Sequence, residues 1–182
     1  MNEVVRGRLQ LLLVVMAFVA PMLIAVVLFF SGWMPGTHSH GQPIFPQQNV
    51  LTQRVRLQNG SLWRWKDSKP RYTLVALPGP DCAEQCVAKL DLMHRARIGL
   101  NRNADRLRLL YLGLPSRLKG AAPVMADWVE GRDESGWFKR FRPVKPDSLA
   151  LVLIAPDGVA LIDYPAGFVP QGVNKDFKKV FK

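Results

Sequence analysis

The stretch RYTLVALPGPDCAEQCVAKLDLMHRARIGL, residues 71–100, decides the fold of this 182-residue chain. Its first part, 71–78, is a short apolar run with Thr and Val, which favours a buried strand. From 82 to 100 apolar residues recur at about every third position, which predicts a helix. The only two cysteines of the chain, Cys82 and Cys86, lie where the strand gives way to the helix. The stretch therefore predicts a strand, a cysteine-bearing loop and a helix, in that order.

Further elements follow the same alternation of strand and helix. They are a strand over 106–115, a short helix over 123–131 with Pro123 in its first turn, two strands over 149–155 and 159–164, and a C-terminal helix over 171–182. A strand–helix–strand crossover favours a parallel pair, whereas the tight turn at Pro156-Asp157-Gly158 forces an antiparallel pair. Asn59-Gly60 between apolar runs predicts an added N-terminal β-hairpin. The sequence thus predicts an α/β, thioredoxin-like mixed sheet of four central strands with helices packed against it.

An uncharged apolar segment over 9–30 precedes this domain. At about 1.5 Å per residue a helix of this length reaches about 33 Å, enough to cross a hydrocarbon core of about 30 Å. Arg6 and Arg8 precede the segment, and the positive flank of a span stays in the cytoplasm. The sequence therefore predicts a bacterial inner-membrane protein with one transmembrane helix, a cytoplasmic N-terminus over 1–8 and a periplasmic C-terminal part. Residues 31–49, rich in Pro and Gly, are predicted to form a tether, and 50–182 the thioredoxin-like domain.

The chain is basic, with 25 Lys and Arg against 14 Asp and Glu and a formal net charge of +11. Almost all of this excess follows the apolar segment. Export excludes nucleic acid as a partner, which leaves anionic headgroups, an acidic protein partner or simply a solvated basic face. No Ser-His-Asp set and no phosphate-binding Gly loop is present, so hydrolase and nucleotide chemistry have no support.

The position of the cysteines suggests three uses. Asp81 is the predicted N-cap, with Glu84 completing a capping box, so that Cys82 begins the helix and Cys86 lies one turn further on. The helix start favours a thiolate at Cys82, while the two carboxylates oppose it. Both sulfurs are expected to face outward, with Cα atoms about 6 Å apart. Such a pair is suited to thiol–disulfide exchange, with Cys82 attacking and Cys86 resolving, to copper(I) binding through both sulfurs, or to an inert staple.

An N-terminal anchor, an exported thioredoxin-like domain and Cys-x-x-x-Cys on its first helix resemble the Sco family of cytochrome c oxidase assembly proteins. The family's motif is Cys-Pro-acidic-x-Cys-Pro. This chain matches it at Cys82, Glu84 and Cys86, and has Ala83 and Val87 in place of the prolines. The resemblance implies a protein that assists oxidase assembly, with copper(I) as the cofactor and an oxidase subunit or a copper carrier as the partner.

One departure from the family concerns the copper ligands. Residues 155–158, Ala-Pro-Asp-Gly, match the family's motif after a late strand, and alignment on them puts Asp147 where the family has its ligand histidine. A carboxylate is a poor ligand for copper(I), so the usual site is expected to be incomplete in this chain. The three histidines lie elsewhere. His38 and His40 in the tether could form a loose metal or proton-responsive site or be merely solvated, and His94 is expected to be structural.

The sequence therefore predicts a membrane-anchored, periplasmic Sco-like protein that assists cytochrome c oxidase assembly. It would act by thiol–disulfide exchange or transient copper(I) handling through Cys82 and Cys86. Two alternatives stay open: a general periplasmic thiol–disulfide reductant, and a non-catalytic adaptor that docks a membrane complex.

Overall fold

The computed structural model describes residues 3–30, 39–113 and 121–181. The chain divides into two compact units, Met1–His38 and Ser39–Lys182. In the first unit the described residues form one helix, α1, over Glu3–Phe30. By length and hydropathy, none of the helices within the described residues qualifies as a membrane span. The predicted transmembrane helix over 9–30 therefore stays unconfirmed.

In the second unit the described residues form a seven-stranded sheet and three helices. Its strands are β1 (Gln42–Asn49), β2 (Val55–Leu57), β3 (Tyr72–Pro78), β4 (Leu107–Leu112), β5 (Trp128–Asp133), β6 (Leu149–Ile154) and β7 (Val159–Tyr164). Its helices are α2 (Glu84–Ile98), α3 (Ala121–Met125) and α4 (Pro170–Val180), with 3₁₀ turns over Asn101–Arg106 and Trp137–Phe141. The strand order is β1-β7-β6-β3-β4-β5-β2. Strand β3 runs parallel to β4 and antiparallel to β6, and β6 is antiparallel to β7. The four predicted strands thus form the centre of a mixed sheet, which confirms the thioredoxin-like fold.

Strand β3 is buried on both faces of the sheet, which explains its continuous apolar sequence. Successive side chains point to opposite faces: Leu74 and Ala76 join one apolar cluster, and Val75 and Leu77 join the other. The first cluster is completed by the inner faces of α2 and α4, and the second by aromatic side chains from loops, among them Trp65, Trp137 and Phe138. The sheet therefore has a helix-covered face and a loop-covered face.

The predicted tether over 31–49 is wrong for its second half. Residues 42–49 form β1, an edge strand that pairs antiparallel with β7, and residues 31–38 lie outside the described part. The prolines that suggested a tether are compatible with an edge strand, since an edge strand leaves N–H groups unpaired on one side. Ile44 packs against the loop-face cluster, which gives this strand its apolar contact.

The predicted helix over 123–131 is also wrong beyond its start. Helix α3 ends at Met125, and Trp128 begins β5, which runs parallel to β4 and pairs with β2 on its other side. Trp128 is buried in the helix-face cluster. Gly131 lets β2 approach, because a Cβ there would lie 2.9 Å from Cγ1 of Val55. Pairing on both sides therefore decides the conformation of this segment.

The hairpin predicted at Asn59-Gly60 is present in shortened form. Gly60 has a φ of +82°, a left-handed conformation that a turn residue without a side chain adopts readily. The N–H of Leu57 donates to the carbonyl of Ser61 at 2.8 Å, and the returning strand is reduced to a bridge between Arg56 and Leu62. The hairpin places β2 at the edge of the sheet.

Candidate functional site

Cys82 and Cys86 form a disulfide at the carboxyl end of β3, where α2 begins. Their Cα atoms are 5.2 Å apart. This is closer than the separation expected for two residues one turn apart in an ideal helix, because Cys82 lies in the loop before α2. The pairing of the two cysteines that the sequence allowed is therefore present, in oxidised form.

The two cysteines differ in exposure. Cys86 is fully buried, with 0% of its surface accessible, whereas Cys82 is partly exposed. The expectation that both sulfurs face outward is therefore wrong for Cys86. The reason is helical periodicity, since Cys86 lies on the inner face of α2 together with Leu90 and Met93. Cys82 is the half of the disulfide that a partner can reach.

The predicted capping box is wrong as well. Helix α2 begins at Glu84, and neither Asp81 nor any neighbouring side chain caps it locally. The cap comes from Asp147, in the loop before β6. One oxygen of its carboxylate accepts the backbone N–H groups of Ala83 and Cys86, each at 2.9 Å, and the other oxygen accepts that of Gln85 at 3.0 Å. Asp147 therefore caps the disulfide-bearing helix from a loop far away in the sequence.

Backbone contacts hold Asp147 in this place. Its N–H donates to the carbonyl of Asp81 at 2.7 Å, and the N–H of Gly79 donates to the carbonyl of Ser148 at 2.9 Å. A Cβ at Gly79 would overlap the carbonyl oxygen of Lys145, so the two loops approach this closely only because residue 79 is glycine. Asp147 itself has a φ of +49°, a left-handed conformation that Asp tolerates better than most residues. Two backbone hydrogen bonds thus hold the loop that follows β3 against the loop that precedes β6.

The carboxylate of Asp147 is charged at neutral pH. Burial raises its pKa, but the N–H groups of Cys86, Gln85 and Ala83 and the charge of Lys89 lower it, and the net pKa lies below the ordinary value. A negative charge at this end compensates the positive end of the helix dipole. The helix start therefore offers less stabilisation to a cysteine thiolate than an uncapped one would.

The described residues do not complete a copper site. They contain no group of three or more His, Cys, Asp or Glu side chains arranged to hold a metal ion. The two sulfurs are bonded to each other, and each of the two described histidines lies beside a carboxylate: His40 Nδ1 is 3.3 Å from Asp176, and His94 Nδ1 is 3.1 Å from Asp127. The predicted His38–His40 site cannot be placed, because His38 lies outside the described residues, and His40 belongs to the folded domain rather than to a tether.

A second carboxylate, Asp176 on α4, collects donors from distant parts of the chain. It is 3% exposed and accepts the N–H of His40 at 2.8 Å, the hydroxyl of Ser39 at 3.1 Å and that of Tyr164 at 3.2 Å. We call these four residues the Asp176 cluster. Burial raises the pKa of Asp176, but these hydrogen bonds outweigh it and the net pKa is lowered. Sequence reasoning missed the cluster, although a charged residue beside Phe177 on the apolar face of a helix was a usable signal.

Fold and site together define a thioredoxin-like protein with a disulfide between β3 and the first turn of α2. A family model described as "Transmembrane-like, thioredoxin-like, C-terminal domain" matches residues 72–182, which is more than half of the chain. The chain therefore belongs to this family. No curated protein sequence matches the chain.

Solved structures show the same fold at low sequence identity. The solution structure of apo Sco1 from Thermus thermophilus has a TM-score of 0.55 at 11% identity, covering 80% of this chain and 99% of that one. Yeast Sco1 with copper bound has a TM-score of 0.52 at 12% identity, covering 80% and 94%. A putative thiol:disulfide interchange protein DsbE from Chlorobium tepidum has a TM-score of 0.50 at 14% identity, covering 78% and 97%. At these identities the likeness establishes the thioredoxin-like fold and leaves the Sco assignment a prediction.

Proposed function

We propose that this protein carries out thiol–disulfide exchange through Cys82 and Cys86. The observation that carries the proposal is the asymmetry of the disulfide: Cys82 is partly exposed, and Cys86 is buried in the core at the start of α2. An inert staple would add little stability at this position, because the loop that it closes is very short. An accessible sulfur backed by a buried one suits exchange, since a partner then has one atom to attack.

The exchange proceeds in two balanced steps. The thiolate of a partner dithiol attacks the sulfur of Cys82, forms a mixed disulfide and displaces Cys86 as a thiolate, which takes up a proton. The second thiolate of the partner then attacks the partner sulfur that is bonded to Cys82 in the mixed disulfide, and displaces Cys82 as a thiolate. The partner leaves as a disulfide, and the pair is reduced by two electrons. In the opposite direction Cys82 attacks a partner disulfide and Cys86 resolves the intermediate.

Single-cysteine variants of the full-length chain in detergent test this assignment. Cys86→Ser leaves the accessible thiol without its resolving partner, so we expect it to form a stable 1:1 adduct with oxidised glutathione. Cys82→Ser retains only the buried thiol and is expected to react at least tenfold more slowly. Mass spectrometry of the adducts measures both rates, and the double variant is the blank. Equal rates for the two single variants would contradict the assigned roles.

The proposed location is the periplasmic side of a bacterial inner membrane, with residues 1–8 in the cytoplasm and 9–30 as the anchor. This part rests on the uncharged sequence of 9–30 and on the preceding Arg6 and Arg8. The disulfide also fits an oxidising compartment. We expect the protein to stay in the membrane pellet after alkaline carbonate extraction and to be digested when protease is added to the periplasmic side. Extraction into the carbonate supernatant would contradict the anchor.

The proposed pathway is assembly of cytochrome c oxidase, and it rests on the sequence resemblance to the Sco family. Deletion of the gene should then lower oxidase activity, with normal activity restored by the wild-type chain. A general reductant would instead disturb the thiols of many exported proteins. If the protein is a non-catalytic adaptor, the Cys82→Ser/Cys86→Ser double variant should restore full oxidase activity to the deletion strain. The proposed exchange function predicts that it does not.

Copper handling takes second place in this proposal. Reduction would release two soft sulfur ligands at Cys82 and Cys86, but the described residues bring no third His, Cys, Asp or Glu side chain to them. Titration of the reduced full-length chain with copper(I), against the double cysteine variant, measures whatever affinity the thiol pair has alone.

A further inference from the structure

Asp147 lies beside the disulfide, where a charge acts on the reduced and oxidised cysteines differently. Its carboxylate accepts the N–H of Cys86 at 2.9 Å, so it is close to the sulfur that leaves as a thiolate when a partner attacks Cys82. Nothing in the exchange reaction requires a carboxylate at this position. Its presence therefore bears on the equilibrium between disulfide and dithiol, through two effects.

The first effect is electrostatic. Backbone N–H groups at a helix start stabilise a nearby thiolate, and a couple whose reduced form is stabilised in this way has a strongly oxidising disulfide. Here the N–H groups of Ala83, Gln85 and Cys86 already donate to Asp147. The carboxylate also places a negative charge beside any thiolate that forms, and a like charge nearby disfavours the charged form of a group. Both consequences disfavour the reduced state.

The second effect is conformational. The carboxylate accepts hydrogen bonds from backbone N–H groups on either side of the start of α2, that of Ala83 in the loop and that of Cys86 in the helix. It thus fixes the segment that separates the two sulfurs. The backbone bond from Asp147 to the carbonyl of Asp81 adds a further constraint on the same loop. A segment held in the geometry of the disulfide gains little freedom when the disulfide is reduced. This, too, favours the oxidised form.

We propose that Asp147 is a positioning residue that lowers the reduction potential of the Cys82–Cys86 couple and makes the reduced protein a reductant of partner disulfides. This inference rests on the proposed exchange function and adds its direction: the preferred substrates are disulfides or other oxidised thiols, and a separate dithiol donor restores the reduced pair. The carboxylate acts through the cysteines and touches no substrate.

Equilibration of the full-length chain with glutathione redox buffers, read by mass after alkylation, tests the proposal. For Asp147→Asn, which keeps the shape and one acceptor but removes the charge, we expect the equilibrium to move at least tenfold towards the dithiol, which corresponds to about 30 mV. Asp147→Glu retains the charge and should restore most of the wild-type value. Asp176→Asn is the matched control. It removes the charge of a carboxylate whose hydrogen bonds go to Ser39, His40 and Tyr164 rather than to the cysteine-bearing segment, and it should leave the redox equilibrium within twofold of wild type.

The outcomes separate this inference from the proposed function. If Asp147→Asn lowers the thermal midpoint but leaves the redox equilibrium within twofold, Asp147 is a structural cap only, and the inference is overturned while exchange stands. If the wild-type disulfide cannot be reduced in the folded state, the exchange function and this inference both fall. If Asp147→Glu matches Asp147→Asn rather than wild type, the charge is not the cause, and the electrostatic half of the inference is overturned.

Discussion

Asp147 and Asp176 are two carboxylates on which several donors converge, but the two differ in what donates. Asp147 receives backbone N–H groups from one short stretch, residues 83–86, beside the disulfide. Asp176 receives two hydroxyls and one N–H from residues far apart in sequence, and it is nearly fully buried. The first therefore controls a local conformation next to a chemical group. The second ties the N-terminal segment of the domain to α4, through hydrogen bonds with Ser39, His40 and Tyr164 rather than with the cysteine-bearing segment.

This difference assigns the two carboxylates to different functions. Removal of Asp176 should reduce stability without altering redox behaviour, whereas removal of Asp147 should alter redox behaviour at a smaller cost in stability. Variants at Asp176 and Ser39 test the structural role, and variants at Asp147 and Gly79 test the redox role.

The largest effect is expected for Asp176→Ala. The buried hydroxyl of Tyr164 and the partly buried donors of Ser39 and His40 would lose their charged acceptor, and each such loss costs about 1–3 kcal/mol, partly relieved by water. We expect a fall in the free energy of unfolding of about 2–4 kcal/mol, measured by denaturant titration of the oxidised full-length chain. Ser39→Ala, which removes a single donor, should cost about 1 kcal/mol. An unchanged stability for Asp176→Ala would show that the cluster is not a structural support.

A smaller effect is expected for Gly79→Ala, which acts on the Asp147 side without altering the carboxylate. The new methyl group would overlap the carbonyl of Lys145 and push apart the two loops that position Asp147. We expect a loss of about 1–3 kcal/mol, the usual range for an overpacked site, together with a shift of the redox equilibrium towards the dithiol. Gly99→Ala is the control, because Gly99 has a helical φ of −62° and room for a Cβ. A redox equilibrium that stays at the wild-type value in Gly79→Ala would count against the bracing role of the loops.

The smallest effect is expected in how the free energy of unfolding depends on pH in the acidic range. The folded pKa values of Asp147 and Asp176 lie below the ordinary aspartate value of about 3.9, so the stability that each contributes is present above that pH and is lost as pH falls through the folded pKa. Below about pH 4 the wild type should therefore lose stability more steeply than Asp147→Asn, by a fraction of about 1.4 kcal/mol per pH unit. Asp163 has the opposite effect on the pH dependence of stability. Burial raises its pKa to about 6, so its contribution to stability falls as the pH rises towards that value. Parallel acid profiles for wild type and Asp147→Asn would contradict the bonding of Asp147.

The central sheet and the cysteine-bearing helix were predictable because their signals are local. A continuous apolar run identified β3, an apolar period of about three identified α2, and the turn at Pro156-Asp157-Gly158 identified the hairpin of β6 and β7. Each of these signals is carried by residues close in sequence. The disulfide was predictable for the same reason, since Cys82 and Cys86 are only four residues apart.

The errors share a different cause, which is pairing between distant segments. Residues 42–49 resemble a tether until β7 supplies their hydrogen-bonding partner. Trp128 to Asp133 continue a helical pattern until β4 and β2 pair with them from both sides. The N-cap of α2 was assigned to Asp81 because the rule for caps is local, whereas the true acceptor lies 62 positions from Gln85 in the chain. Sequence alone points to Asp147 only through its alignment with a ligand position of the Sco family, and gives no sign of its role as a cap.

The reducibility of the disulfide in the folded full-length chain tests the central claim most directly. In dithiothreitol and glutathione buffers of graded potential, we predict one reversible two-electron transition while the fold is retained, with Cys82 alkylated before the buried Cys86. A disulfide that opens only after the domain has been unfolded by denaturant would contradict the claim, since Cys82 and Cys86 would then be a fixed part of the structure.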